Sequence, residues 1–283
     1  MLAHAKINLG LYVVARRPDG FHDIETVFCR IGIADGVSFA PSGEIRVTSS
    51  SPEAPSDDSN ICHKAARIIR KHLNVAEGVH IHIEKHVPVG AGLGGGSADA
   101  AAVVKELPAF WNRTLIAGDR FRIALELGSD VPYFLNEGAA VGRGRGEQLE
   151  HFPLDIPFTI LLCNPNIHIP TAWAYSRITP GVTGKPGDLR KTVLDGMHNP
   201  ALLQQLRNDF EAVVFETYPA VRRLKEAMLD RGAVFSLMSG SGSTVFGFFE
   251  GPDVADALRS EFVDRGYRAF VTPAHFRSEG RMR

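Results

Sequence analysis

Between residues 88 and 97 the chain reads Pro88-Val89-Gly90-Ala91-Gly92-Leu93-Gly94-Gly95-Gly96-Ser97. A run so poor in side chains builds neither a strand nor a helix interior, because glycine loses more freedom on folding than any other residue. What flanks it is regular. Val79, Ile81 and Ile83 alternate with His80, His82 and Glu84, the period of a half-buried strand. The segment after it is alanine-rich; Ser97 is placed to open a helix that Pro108 should stop. Strand, glycine loop and helix together make an anion cradle. Glycine backbone lets N–H groups converge without side chains in the way, and the helix start adds free N–H groups and the positive end of its dipole.

Two better-known phosphate loops fit poorly. Gly90-x-Gly92-x-x-Gly95 matches the dinucleotide fingerprint formally. Yet the preceding strand alternates instead of being uniformly apolar, and Asp119 is only a rough candidate for the ribose-binding acid about 20 positions on. A dinucleotide-binding oxidoreductase is therefore the weaker alternative. The P-loop fails because no Gly-Lys-Ser/Thr closes the run. A ligand-free flexible turn is disfavoured by the strand and helix start that frame it.

The 283 residues suit about two domains, and 44% hydrophobic with 22% charged residues is ordinary for a globular protein. A net charge of -1 gives no reason to propose a nucleic-acid or acidic-membrane partner. Cys29, Cys62 and Cys163 are widely spaced, which suggests neither a disulfide framework nor a metal site. No signal peptide and no apolar run near the ~18 residues of a membrane span are apparent. The expectation is a cytoplasmic protein, monomer or weak homodimer.

Apolar stretches at 5–15 and 24–33, separated by Arg16-Arg17-Pro18-Asp19-Gly20, predict an N-terminal hairpin. Residues 41–59, rich in Ser, Pro and Asp, read as a loop, and 60–73 as a helix. A further helix is expected at 118–127. A composition change near 147–158 places a boundary between residues 1–150 and 151–283. In the second half, Val221, Leu224 and Met228 share one helical face over 219–231, with Gly232 following as a cap. A strand, the turn 239–243, a strand, a helix near 252–265 and a last strand near 267–272 complete an α+β pattern. Residues 179–192 read as a mobile loop.

Three more motifs are ambiguous singly. Lys6 and Asn8 project to one face of a strand, whether toward solvent or toward a site. Asp130, in Leu127-Gly128-Ser129-Asp130-Val131-Pro132, is a turn residue or a base. Ser239-Gly240-Ser241-Gly242 is a hairpin turn or a second glycine loop. Their order along the chain, with the glycine run between, resembles the GHMP kinases, the small-molecule kinases that include those for galactose, homoserine and mevalonate. The elements Ala5-Lys6-Ile7-Asn8-Leu9 and Asp19-Gly20-Phe21-His22 resemble the branch acting on a cytidine-diphosphate methylerythritol; the alternative is a homoserine or mevalonate kinase.

The resemblance implies a two-domain GHMP kinase fold: an N-terminal ATP-binding domain like ribosomal protein S5 domain 2, and a C-terminal ferredoxin-like domain contributing to substrate binding. It implies ATP with Mg²⁺, and transfer of the γ-phosphoryl group to a tertiary hydroxyl. The loop from Pro88 to Ser97 would hold the ATP phosphates, with Asn60 and Lys85 near the adenine. Asp130 would accept the hydroxyl proton beside Lys6. Asn8, Phe21, His22 and Tyr175 would bind the cytidylyl substrate, His22 by hydrogen bonds and Tyr175 by stacking. Three positions depart from the pattern: His4 stands where Pro is common, Phe21 where Tyr is common, and Ala98 where a second Ser is frequent. No acidic pair declares itself for Mg²⁺, which would be held mostly by phosphate oxygens and water.

Overall fold

The computed structural model describes residues 1–181 and 187–278. In chain order its strands are β1 (Leu2–Arg16), β2 (His22–Ser42), β3 (Ile45–Ser49), β4 (Gly78–Glu84), β5 (Ala139–Arg143), β6 (Gln148–Phe152), β7 (Thr159–Asn164), β8 (Phe235–Met238), β9 (Val245–Phe249) and β10 (Arg268–Thr272). The helices are α1 (Ile61–His72), α2 (Gly95–Phe110), α3 (Ala117–Leu127), α4 (Thr171–Arg177), α5 (Leu189–His198), α6 (Phe210–Thr217), α7 (Pro219–Asp230) and α8 (Pro252–Asp264). Two compact units interleave along the chain. One comprises 1–5, 34–89 and 94–137; the other comprises 6–33, 90–93 and 138–283. The composition change at 147–158 falls inside the second.

In the first unit, the C-terminal half of β2 pairs antiparallel with β4, and β3 pairs parallel with β4. A parallel neighbour needs a crossover, which α1 supplies. Asn60 starts α1 by accepting from the Cys62 N–H at 2.8 Å, an N-cap bond. The expected loop at 41–59 thus contains β3, whose pattern is masked by its polar neighbours. Helix α2 packs on α1 and α3. It differs from expectation at both ends. It begins at Gly95, with left-handed Gly94 as cap, so Ser97 lies inside the first turn. It also runs through Pro108 to Phe110. Proline so near a C-terminus removes one intrahelical bond, and the Leu107 and Pro108 carbonyls still accept from Trp111 and Arg113.

In the second unit, β7, β8, β9 and β10 form an antiparallel sheet of order β10-β7-β9-β8, with α7 leading into β8 and α8 joining β9 to β10. This is the βαββαβ arrangement of a ferredoxin-like domain, as expected. The periodic face of α7 is buried at Val221, Leu224 and Met228. Burial of each such side chain contributes about 1.5–3 kcal/mol before entropy is counted. Positive φ at Gly232 ends the helix as the sequence predicts. The expected loop at 179–192 is partly helical. Asp188 caps α5 by accepting from the Lys191 N–H at 2.9 Å, while 182–186 lie outside the described residues. The N-terminal half of β2 pairs with β5, and β5 with β6. Among the described residues no helix is long and apolar enough to cross a membrane.

Candidate active site

Lys6 and Asn8 sit on β1 in the second unit, and both are buried. That settles the ambiguity of the strand face against solvent. An ammonium group out of water must be paired, and Lys6 Nζ donates to Asn8 Oδ1 at 2.7 Å and to the Gly92 carbonyl at 3.3 Å. It also stands 5.4 Å from the Phe28 ring centre. Asn8 is held in turn, donating from Nδ2 to Thr26 Oγ1, which donates to the Gly10 carbonyl. The Lys6 N–H donates to the Leu93 carbonyl at 2.9 Å. The lysine and residues 90–93 of the glycine run therefore form one assembly.

The second glycine turn joins this assembly. Ser239 Oγ donates to the Gly92 carbonyl at 3.0 Å, so that oxygen accepts from both Ser239 and Lys6. Gly92 has φ +79°, and an added Cβ would collide with the Ser239 carbonyl. Only glycine allows this backbone-on-backbone approach. Ser241 Oγ shares a hydrogen bond with Thr171 Oγ1 at 3.1 Å. The imidazole of His168 stands against Gly90.

His22 and Tyr175 lie together in the same unit. Their rings stack with centres 4.9 Å apart and planes 23° from parallel. The edge of Phe210 supports Tyr175 at 4.8 Å. Burial, helped by the positive charge of Arg16, pulls the His22 imidazole below its ordinary range and favours the neutral ring. Phe21 is exposed on one side, with the Arg145 guanidinium over its ring at 4.5 Å.

The first unit carries residues 94–97, Asn60, Lys85 and Asp130. The Ala98 N–H is bonded to the Gly94 carbonyl, the first intrahelical bond of α2. The N–H groups of Gly95, Gly96 and Ser97 have no acceptor inside the helix, as at any helix start. A Cβ at Gly96 would meet nothing nearer than 3.9 Å. The helix end thus has the free donors by which helix starts bind phosphate. Behind it, Lys85 Nζ pairs with Asp35 and, at 3.0 Å, with Asp99 of α2, all three side chains being nearly inaccessible. Asp35 also accepts the His86 and Val87 N–H groups at 2.7 and 2.8 Å. Burial, together with the charge of Asp35, outweighs Lys85 and raises the Asp99 carboxyl to about 7. Both carboxylates hold the Lys85 ammonium in its charged form despite burial. Asn60 uses its side chain to cap α1 and to donate to the Pro55 carbonyl. Asp130 precedes a 3₁₀ turn at Val131–Leu135, with φ -82° and ψ -20°. Among the described residues no cluster of three or more His, Cys, Asp or Glu side chains forms a ready metal site.

Sequence reasoning missed several of these groups. Asp35 and Asp99 gain meaning only from the tertiary pairing with Lys85. Asn208, Asp209 and Glu211 look like ordinary polar residues before a helix, yet Asn208 and Asp209 are buried and all three bond to neighbouring backbone. A short Asn-Asp-x-Glu cluster beside an apolar segment was the available signal.

A lysine anchored to a glycine loop, a second glycine turn beneath it and a ferredoxin-like domain define a class, and the chain belongs to the GHMP kinases, whose members are ATP-dependent phosphotransferases. The family models for the GHMP kinases N terminal domain and the GHMP kinases C terminal match residues 60–138 and 189–268. Within the class the chain is similar to 4-diphosphocytidyl-2-C-methyl-D-erythritol kinase of Prosthecochloris aestuarii, 45% identical over 97% of this chain and 96% of that one. The kinase of the same name from Chlorobium limicola is 40% identical over 96% of each chain. A crystal structure of 4-(cytidine 5'-diphospho)-2C-methyl-D-erythritol kinase superposes with a TM-score of 0.81 at 33% identity, covering 96% of this chain and 97% of that one. Homoserine kinase from Cytophaga hutchinsonii shares the fold, with a TM-score of 0.70 at 19% identity, covering 96% of this chain and 94% of that one.

Proposed function

We propose that this protein transfers the γ-phosphoryl group of ATP to the 2-hydroxyl of 4-(cytidine 5'-diphospho)-2-C-methyl-D-erythritol, a step of the methylerythritol phosphate route to isoprenoid precursors. The observation that carries this reading is the full-length likeness to kinases of that name, against 19% identity to a homoserine kinase and 13% to a mevalonate kinase. The proposed roles divide as follows. Residues 1–150 supply the nucleotide site, and residues 151–283 contribute to substrate binding. Residues Pro88 to Ser97 cradle the phosphates. Asn60 and Lys85 border the nucleotide and act through the backbone they fix. Mg²⁺, bound mainly through phosphate oxygens and water, supplies charge neutralisation.

Asp130 is the proposed base, taking the proton as the hydroxyl oxygen bonds to phosphorus and the bond to the departing ADP breaks. Lys6 steadies the charge on the reacting oxygens. Asn8 contacts the substrate beside Lys6. His22 and Tyr175 form an aromatic platform for cytosine, with Phe21 at its border; a neutral imidazole both donates and accepts, which suits a base edge. The protein is proposed to work in the cytoplasm. An ADP-release assay with the cytidylyl alcohol, homoserine and mevalonate tests the reading. Turnover of the cytidylyl alcohol alone is expected; turnover of homoserine or mevalonate without it moves the assignment to another kinase of the family.

A further inference from the structure

One segment, Arg207 to Glu211, buried at Asn208, Asp209 and Phe210, is bonded to two parts of the proposed site at once. On one side it adds to β1. The Leu11 N–H donates to the Arg207 carbonyl at 2.8 Å, and the Asp209 N–H donates to the Leu11 carbonyl at 2.9 Å. The Val13 N–H donates to Asp209 Oδ2 at 2.8 Å. On the other side it grips the second glycine turn. Asn208 Nδ2 donates to the carbonyls of Met238 at 2.7 Å and Gly240 at 2.8 Å. Glu211 Oε1 accepts the Met238 N–H at 2.9 Å. Asn208 Oδ1 accepts the Phe210 N–H at 3.0 Å. The asparagine amide thus spends two donors and an acceptor on fixed backbone partners, a set that no carboxylate of the same size provides.

The turn that Asn208 grips is the support of Gly92. Ser239 Oγ donates to the Gly92 carbonyl, and a Cβ at Gly240 would stand 3.0 Å from that same oxygen. The Thr244 N–H, just past the turn, donates to the Ala91 carbonyl at 3.3 Å. Apart from the Ser239 hydroxyl, backbone meets backbone across this contact, so a shift of the turn passes to residues 91–92. The Gly92 carbonyl also accepts from Lys6 Nζ.

We propose that Asn208 is a positioning residue for phosphoryl transfer: by locking the Met238 and Gly240 carbonyls it sets the second glycine turn, and through that turn the Gly92 backbone of the phosphate loop and the Lys6 ammonium. This rests on the reading of residues 88–97 as the nucleotide cradle. The test uses Asn208→Ala and Asn208→Asp, with nucleotide and cytidylyl-alcohol affinities measured separately by calorimetry and turnover by ADP release. Loss of neutral hydrogen bonds of ordinary net strength is expected to weaken ATP binding by about tenfold in the alanine variant, and further in the aspartate variant, whose carboxylate faces two carbonyls. Cytidylyl-alcohol affinity should change by no more than about threefold, because Asn208 reaches the His22–Tyr175 stack only through the Phe210 N–H, one residue removed from the rings. A folded variant with unchanged ATP affinity, or with both affinities falling together, overturns the proposal. If neither variant folds, Ser239→Ala removes the next bond of the same relay. An ATP-selective loss there supports the proposal, and unchanged ATP affinity defeats it. Wild-type protein that binds ATP but ignores the cytidylyl alcohol would refute the substrate reading while leaving the nucleotide measurement readable.

Discussion

Lys85→Met removes the only cation paired with Asp35 and Asp99 in the described ion pairs, while keeping an apolar stem of similar length. The two carboxylates do not lose equally. Asp35 keeps the His86 and Val87 N–H donors. Asp99 Oδ2 loses its lysine, and Asp99 Oδ1 has no hydrogen-bond partner. Breaking a buried pair from one side costs about 3–5 kcal/mol, against about 0–1 kcal/mol for an exposed pair. The side chains here are at most 5% accessible, so the larger figure applies. Most of that loss should sit on Asp99, and Lys85→Met with Asp99→Asn should recover more than half of it.

The pH dependence has a definite sign. The Asp99 carboxyl is raised to about 7 from an ordinary 3.8, so the folded state holds this proton more tightly than the unfolded one. Its contribution to stability is complete below about pH 4 and fades as pH rises through about 7. The Lys85→Met loss should therefore be larger at pH 8 than at pH 5.5, and Asp99→Asn should flatten the stability profile between them. Urea unfolding in a Trp173→Phe background, with Trp111 reporting the first unit, measures both effects. A loss under about 1 kcal/mol, or a further loss on adding Asp99→Asn, would refute the reasoning.

Asp130→Asn should lower kcat by about 10²–10⁴-fold with little change in ATP affinity, read by single-turnover kinetics; near wild-type turnover removes Asp130 as the base. His22→Ala should raise KM for the cytidylyl alcohol far more than for ATP, and equal effects would exclude a cytosine role. Because burial and Arg16 depress the His22 imidazole, acid must charge it on the low side of the usual histidine range. KM for the cytidylyl alcohol should rise there, and the stability contributed by the neutral ring should fall as pH drops below the ordinary histidine value. Gly92→Ala combines a left-handed backbone with a collision against Ser239 and should destabilise by at least about 2 kcal/mol, measured by urea unfolding; a neutral effect would contradict the close approach of the two turns.

The sequence made visible what is local. Alternation at 79–83, the helical face of Val221, Leu224 and Met228, and the glycine run each carry their own period or conformational demand. Lys6 and Asn8 were legible as one face, but burial and the contact with Gly92 were not, since these depend on partners far along the chain. Pro108 misleads because a breaker in the last turn costs a helix little. β3 hid among Ser and Pro residues, and the pairing that makes it a strand comes from β4. The interleaving of the two units was not legible either, because long β1 and β2 each contribute to both. Asn208 and Asp99 show the same limit: their roles lie in which backbone or charge the fold brings to them.

The central claim is group transfer to one particular alcohol, and it can be followed by the fate of the phosphorus itself. Incubation with ATP labelled with ³²P in the γ position and the cytidylyl alcohol, followed by separation of products, should put the label in a phosphomonoester of that alcohol, with ³¹P coupling locating it on the 2-oxygen. Label recovered as free phosphate, or carried by homoserine or mevalonate and not by the cytidylyl alcohol, would contradict the account.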